Sequence, residues 1–187
     1  MLSGLELLED NPGDQEISQL IQTSAEESAR RLSFFRLAMG HGVTRSFSTL
    51  ERVKEPLEKS INPSKISIEW QLTDTAFASS DVSMASRLLA ALALCMVEAM
   101  PLGGSLSIAA TNNLLTITGE SRRITLPDEV KTTLLEGSST DDLSPRAMPA
   151  FIAWLAAGEL GIKTEVAGDD SRVVFTAAAA QDLANSG

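Results

Sequence analysis

Ten apolar residues in a row, Leu88 to Val97, sit inside "SRLLAALALCMVEAMPLGG". In a helix ten residues rise about 15 Å, roughly half the hydrocarbon core of a bilayer. The run is therefore too short to span a membrane and predicts a buried core helix over 82–100, closed by "PLGG" at 101–104. Such a helix has no face to give to water. The rest of the chain has to supply a sheet and further helices to cover it.

The flanking sequence offers those elements. "KISIEWQL" (65–72) alternates apolar and polar residues and predicts a strand. "SLSIAA" and "LLTIT" flank Asn112-Asn113 and predict a hairpin. "LPDEVKTTLLEG" predicts a short helix after Pro127. "PRAMPAFIAWLAAGELG" predicts a second buried helix, interrupted early by Pro149. "KTEVAGDDSRVVFTAAA" predicts a last hairpin turning at Gly168-Asp169-Asp170. Upstream, "SFSTLERVKEPLEKSI" (46–61) offers a capping box, Ser48 with Glu51, and a helix that Pro56 should kink or end. From "KEPLEK" onward the order is α, β, α, β, β, α, α, β, β. Helices on one face of a mixed sheet give a two-layer α/β sandwich.

The first forty residues read differently. Residues 2–9 look helical, "DNPGD" (10–14) is a tight turn, and Asp14 is a good N-cap. Ile17, Ile21, Ala25, Leu32, Phe35 and Met39 then recur at helical spacing, with Ser28 on the same stripe, until Gly40 and Gly42. The prediction is an antiparallel helical hairpin with a long second arm and a first arm too short to match. A stripe of that length must pack on something. A second copy of the hairpin, making a four-helix bundle, is the simplest partner; the chain's own second half is the other. The expected division is a dimerisation hairpin over 1–42 and a sandwich over 43–187.

Composition narrows the function. The net charge of −10 gives no counterion release on nucleic acid and no attraction to an anionic membrane surface. One cysteine, Cys95, allows no intrachain disulfide and fits a reducing compartment. Met1 is followed by Gly4, Glu6 and Glu9, not by a basic and then an apolar segment, so no signal peptide is expected. These features together predict a soluble cytoplasmic protein. Hydrophobic residues at 43% are enough for a real core. P-loop, GxGxxG and metal-ligand clusters are absent from the sequence, so neither a metal nor a cofactor is expected. The one histidine, His41 in "AMGHGV", reads as a solvated linker residue. Cys95 reads as a buried structural thiol. Asp128-Glu129 read as helix-start charges and Asp141-Asp142 as a solvated loop.

The layout resembles a sensor histidine kinase: a helical-hairpin dimerisation domain followed by a Bergerat-type ATP-binding sandwich. In "RLLAALALCMVEAMPLGGSLSI" (87–108) the frame of the kinase Asn-rich helix is kept. Counting back from Gly103-Gly104, however, the Mg-binding Asn falls on Cys95 and its companion on Ala91. A thiol in an apolar helix does not suit Mg²⁺, which takes oxygen ligands. The kinase Asp-x-Gly-x-Gly corresponds to Glu120, Arg122 and Ile124, whose side chains fill space a nucleotide needs. Where a last glycine-rich box would stand, the chain has Ala147-Met148-Pro149. The nucleotide site therefore reads as closed, with no ATP bound.

"SGLELLED", "ARRLSFFRLAMG", "MVEAMPLGGSLSI" and "LAAGELG…RVVFTAAA", in that order, resemble the ChpT-like histidine phosphotransferases of alphaproteobacterial phosphorelays. The resemblance runs from residue 3 to about 178. It implies a homodimer built on a four-helix bundle, with degenerate kinase-like domains that do not hydrolyse ATP. A histidine on the first bundle helix takes a phosphoryl group from one receiver domain and passes it to others. In the family that histidine precedes "GLELL", which puts it about eight residues upstream of Met1. It would lie level with roughly residues 30–34 of the second arm, and His41 falls roughly 10 Å or more beyond that level. Arg30, Arg31 and Phe34 are then the residues expected to meet a docked response-regulator receiver, the arginines through its acidic pocket or the phosphoryl group. A dimeric scaffold that binds response regulators without relaying is the alternative. An ATP-dependent histidine kinase is a third reading, and the lost nucleotide motifs argue against it.

Overall fold

The computed structural model describes residues 14–38, 49–73, 77, 81–112 and 114–179. The expected first arm, the turn at 10–13, the hairpin's end at Gly40–Gly42, His41 and the domain boundary at 42/43 lie outside the described residues.

Helix α1 spans Gln15–Ala38. Asp14 caps it as predicted: its carboxylate accepts the N–H of Glu16 at 2.9 Å and of Ile17 at 3.2 Å. A 3₁₀ turn, Leu50–Val53, leads into α2, Lys54–Ser60. The 3₁₀ turn is capped at Thr49, with no side-chain hydrogen bond, and Glu51 pairs with Lys54 at 2.7 Å; the expected capping box rests on Ser48, which lies outside the described residues. One expectation fails in this stretch. Pro56 neither kinks nor ends the helix. The α-helix proper begins only two residues before it, and a first-turn residue needs no N–H.

Strand β1, Ile66–Leu72, pairs in parallel with β2, Gly104–Thr111. A parallel pair needs a long crossover, and the apolar helix α3, Val82–Ala99, supplies it. β2 turns through Asn112, at φ 50°, into β3, Leu114–Glu120. Helices α4, Asp128–Glu136, and α5, Met148–Glu159, follow, then the hairpin of β4, Lys163–Gly168, and β5, Arg172–Ala178. The sheet order is β1-β2-β3-β5-β4. Element order and layering are those the sequence predicts: a two-layer sandwich with a mixed sheet. Pro149 is again misread by the sequence, because it stands at the start of α5, where proline is favoured, and does not interrupt the helix.

Strand alternation sorts the sheet. Leu106, Ile108, Leu115, Ile117, Val173 and Phe175 are buried on one face, while Glu69, Gln71, Glu120 and Arg172 are exposed on the other. Over the inner face lies α3. The ten-residue run understates its length: by length and composition the whole helix could cross a membrane, yet 67% of it is buried inside the protein. Its apolar side chains go to the core. Ala85, Ala90, Ala91 and Ala93 of α3 are fully buried, as are Ala150, Ala153, Ala156 and Ala157 of α5, and the two helices pack on each other. Small residues on both helices let the backbones come close. At the sheet's edge, Trp70 donates its indole N–H to Glu58 at 2.8 Å and lies under the Lys54 ammonium, so α2 is tied to β1.

Candidate functional site

Helix α1 leans on α2 and α3 and touches α5, but none of its described side chains is fully buried. Along the predicted stripe, Ile17, Ile21 and Phe35 are half-buried, while Ala25, Ser28 and Leu32 are exposed. Leu20 and Leu32 are 59% and 61% exposed. Between α1 and the sandwich runs a cleft of about 480 Å³ lined by Ser24, Glu27, Arg30, Lys65, Leu94 and Glu98, among others. Lys65 Nζ reaches Glu27 across it at 3.2 Å. The two residues are 38 positions apart, and no sequence pattern announces the pair.

Arg30 is one of the residues expected to face a partner. Its side chain is 27% exposed, lies 3.8 Å from Glu26 and lines this cleft. Arg31 and Phe34 stand on the same helix; their side chains lie outside the described residues.

Toward the same C-terminal end of α3 stands Cys95, where the kinase frame would have its Mg-binding Asn. Cys95 is 4% exposed. Burial, reinforced by the charge of Glu98, pushes its thiol far above the usual range. Such a thiol is neither a nucleophile nor an Mg²⁺ ligand. Among the described residues no group of three or more His, Cys, Asp or Glu could hold a metal.

The loop after β3 is laced down on all sides. Glu120 accepts from Arg172 Nε at 3.1 Å. Ser121 donates its hydroxyl to the Gly103 carbonyl at 2.6 Å and its N–H to Ser171. Ile124 donates its N–H to the Asp170 carbonyl at 2.6 Å, and its side chain is 4% exposed. Thr125 donates its N–H to the Ala99 carbonyl at 2.8 Å. A loop so bound cannot open as a glycine-rich one can. What remains beside Cys95 is a cavity of about 270 Å³, walled by Glu98, Ala99, Leu126, Val130 and Arg146 with Pro101, Thr125 and Pro127. Sequence reading missed this cavity, because it exists only where the α3 end, the α4 start and the approach to α5 meet.

The fold defines a class: an α/β sandwich, with a five-stranded mixed sheet, behind a long helix. Over 94% of this chain and 84% of the other, the fold matches the 1.7 Å structure of a bacterial phosphotransferase, at a TM-score of 0.70 and 23% identity. A looser likeness, at a TM-score of 0.49 and 18% identity, is to the nucleotide-free catalytic domain of the histidine kinase ThkA, over 68% of this chain and 88% of that one. Residues 50–172 match the family model of the histidine phosphotransferase C-terminal domain, and the chain belongs to that family. It is also 25% identical over 183 residues to the protein phosphotransferase ChpT of Brucella abortus (strain 2308), covering 94% of this chain and 84% of that protein.

Proposed function

We propose that this protein relays phosphoryl groups between the receiver domains of response regulators in a two-component phosphorelay of the cytoplasm, without binding ATP. The family match over residues 50–172 carries the reading. The residues at the nucleotide positions support it: a buried thiol at Cys95, an ion-paired Glu120 and a buried Ile124. In this reading residues 1–42 form the dimerisation hairpin and 43–187 the degenerate Bergerat sandwich. The exposed leucines of α1 belong to the bundle seam of a homodimer. The acceptor histidine belongs to the helix that pairs with α1, N-terminal to Gly4. Arg30, Arg31 and Phe34 lie level with it and meet the receiver, Arg30 from the rim of the cleft.

The chemistry asks little of the sandwich. A neutral imidazole nitrogen attacks the aspartyl phosphate of one receiver, and the carboxylate leaves. The phosphohistidine then gives its phosphoryl group to the aspartate of the next receiver, and the nitrogen is the leaving group. Guanidinium groups beside the transferring oxygens stabilise the charge spread over them.

The test takes the full chain extended upstream through the expected histidine and mixes it with a radiolabelled phospho-receiver. Label should pass to the protein, and from it to a second receiver, while labelled ATP alone should give none. Binding of receivers without any transfer would replace the relay with the scaffold reading. Label taken directly from ATP would restore the kinase reading.

A further inference from the structure

The turn from α3 into β2 holds a leucine where neither turn chemistry nor the core asks for one. Pro101 and Leu102 are its central residues, closed by the Gly103 N–H on the Met100 carbonyl at 3.0 Å. Beside a proline, such a turn favours Gly, Asn, Asp or Ser, which bend or hydrogen-bond the backbone. Leu102 does neither, and it buries little: at 68% it is the most exposed leucine among the described residues. One open leucine on a surface is ordinary. This one stands on a stiff mount. Pro101 fixes its own φ. The Gly104 N–H donates to the Lys65 carbonyl at 3.0 Å, and the Gly103 carbonyl accepts the Ser121 hydroxyl at 2.6 Å. An apolar group already held in place costs little further ordering when a partner covers it.

We propose that Leu102 is an apolar anchor for the docked receiver domain, on the sandwich side of the cleft under α1. The proposal rests on the relay reading and extends the receiver's footprint from the helix to the sandwich. Its neighbour Pro101 lines that cleft, and so does Arg30, the α1 residue already assigned to the receiver. The hollow between them is about 480 Å³. A partner that covers about 800 Å² spans roughly 30 Å, enough to reach both sides of such a hollow at once. The open leucines of α1 belong to a different surface, the bundle seam. Leu102 lies on the sandwich, next to the cleft, where the same body that meets Arg30 also covers it. In this arrangement the sandwich contributes to holding the receiver and takes no part in the chemistry.

The test measures binding of isolated receiver domains from the response regulators of the same cell, taken one at a time, to the full chain. L102S should weaken the receiver that binds wild type about tenfold, the order expected when a leucine covered in the complex is lost. L102M keeps an apolar side chain of similar volume and should bind within about twofold of wild type. The side chain is already open, so both variants should keep the circular dichroism spectrum and melting temperature of wild type. In the chain extended upstream, L102S should raise the receiver concentration needed for half-maximal transfer and leave the rate at saturation unchanged. Receiver binding unchanged in L102S would overturn the anchor while leaving receiver binding itself in place. Equal losses in L102S and L102M would assign the effect to the turn and overturn it too. So would a self-association of the chain that L102S abolishes, because a second copy would then be the occupant. A wild type that binds none of the receivers would remove the relay reading, and the anchor with it.

Discussion

At Gly119, in β3 on the core face, an added Cβ would lie 2.4 Å from Met96 Sδ and 2.7 Å from its Cγ. Both methionines above it, Met96 and Met100, are buried. Thioether chains are flexible and can partly yield, so G119A should cost about 1–3 kcal/mol, the usual range for overpacking. Gly103 leaves no such latitude. Its φ is +80°, and a Cβ there would meet the Lys65 carbonyl oxygen at 2.2 Å, the same oxygen that accepts the Gly104 N–H at the start of the β1–β2 pairing. Urea unfolding should therefore rank G103A as clearly worse than G119A; the reverse order would mean the backbone here is softer than its geometry implies. Cys95 gives a second test at this scale. With its thiol held protonated by burial, it should react with a disulfide reagent at pH 8 only at the rate of unfolding, and rapidly in denaturant. Reading the sequence succeeded for Cys95 and for the Asp14 cap, because an apolar neighbourhood and a cap are local properties. It failed for Pro56 and Pro149. A proline breaks a helix only where its N–H is needed, and that depends on where the helix starts, which pattern leaves uncertain by a turn.

Between elements, side-chain hydrogen bonds close the ends of helix and hairpin. The core helix α3 begins at Asp81, whose carboxylate accepts from the N–H groups of Ser83 at 2.9 Å and Met84 at 3.2 Å. D81A should cost about 1 kcal/mol, with α3 still formed because its packing and not its cap holds it; a loss of helical signal would contradict this. The β4–β5 hairpin is held by Asp169, which takes the Ser171 hydroxyl and N–H, both at 2.7 Å, and the Arg172 N–H at 3.0 Å. Those bonds, the Ser171 hydroxyl first, lower its pKa. Because the folded pKa lies below the unfolded one, the stabilisation is complete above the ordinary aspartate range, near 4, and is lost as pH falls through the folded value. Carboxyl NMR titration should place Asp169 below that range, and S171A should move it upward. An unmoved titration in S171A would assign the shift to the backbone alone. Hairpin and strands were legible because Gly168-Asp169-Asp170 and the period-2 runs are local signals. The bonds from Ile124 to Asp170 and from Thr125 to Ala99, which pin the loop after β3, join distant positions and leave no trace in the pattern.

For the whole molecule, the unsettled surface is α1. Periodicity told correctly that this segment is one long helix with an apolar stripe, but a stripe says that something covers it and not what. The sandwich takes only part of it, since Ile17, Ile21 and Phe35 are half-buried while Ala25 and Leu32 stand open; Leu20, off the stripe, is open too. An open leucine on that stripe, Leu32, is what a bundle partner would cover. If a second copy does so, L32E should leave the single chain folded, with an unchanged circular dichroism spectrum, because the side chain it replaces is already 61% exposed. It should, however, abolish self-association, since the glutamates would be buried near the two-fold axis with nothing to pair them. Sedimentation of the wild type and of L32E over a hundredfold range of concentration decides the matter. A dimer lost in L32E, with a wild-type melting temperature that rises with concentration, fits a bundle seam on α1. A wild type that is monomeric throughout, or a dimer that L32E leaves intact, removes α1 as the seam. The open leucines would then belong to whatever the helix meets outside its own kind.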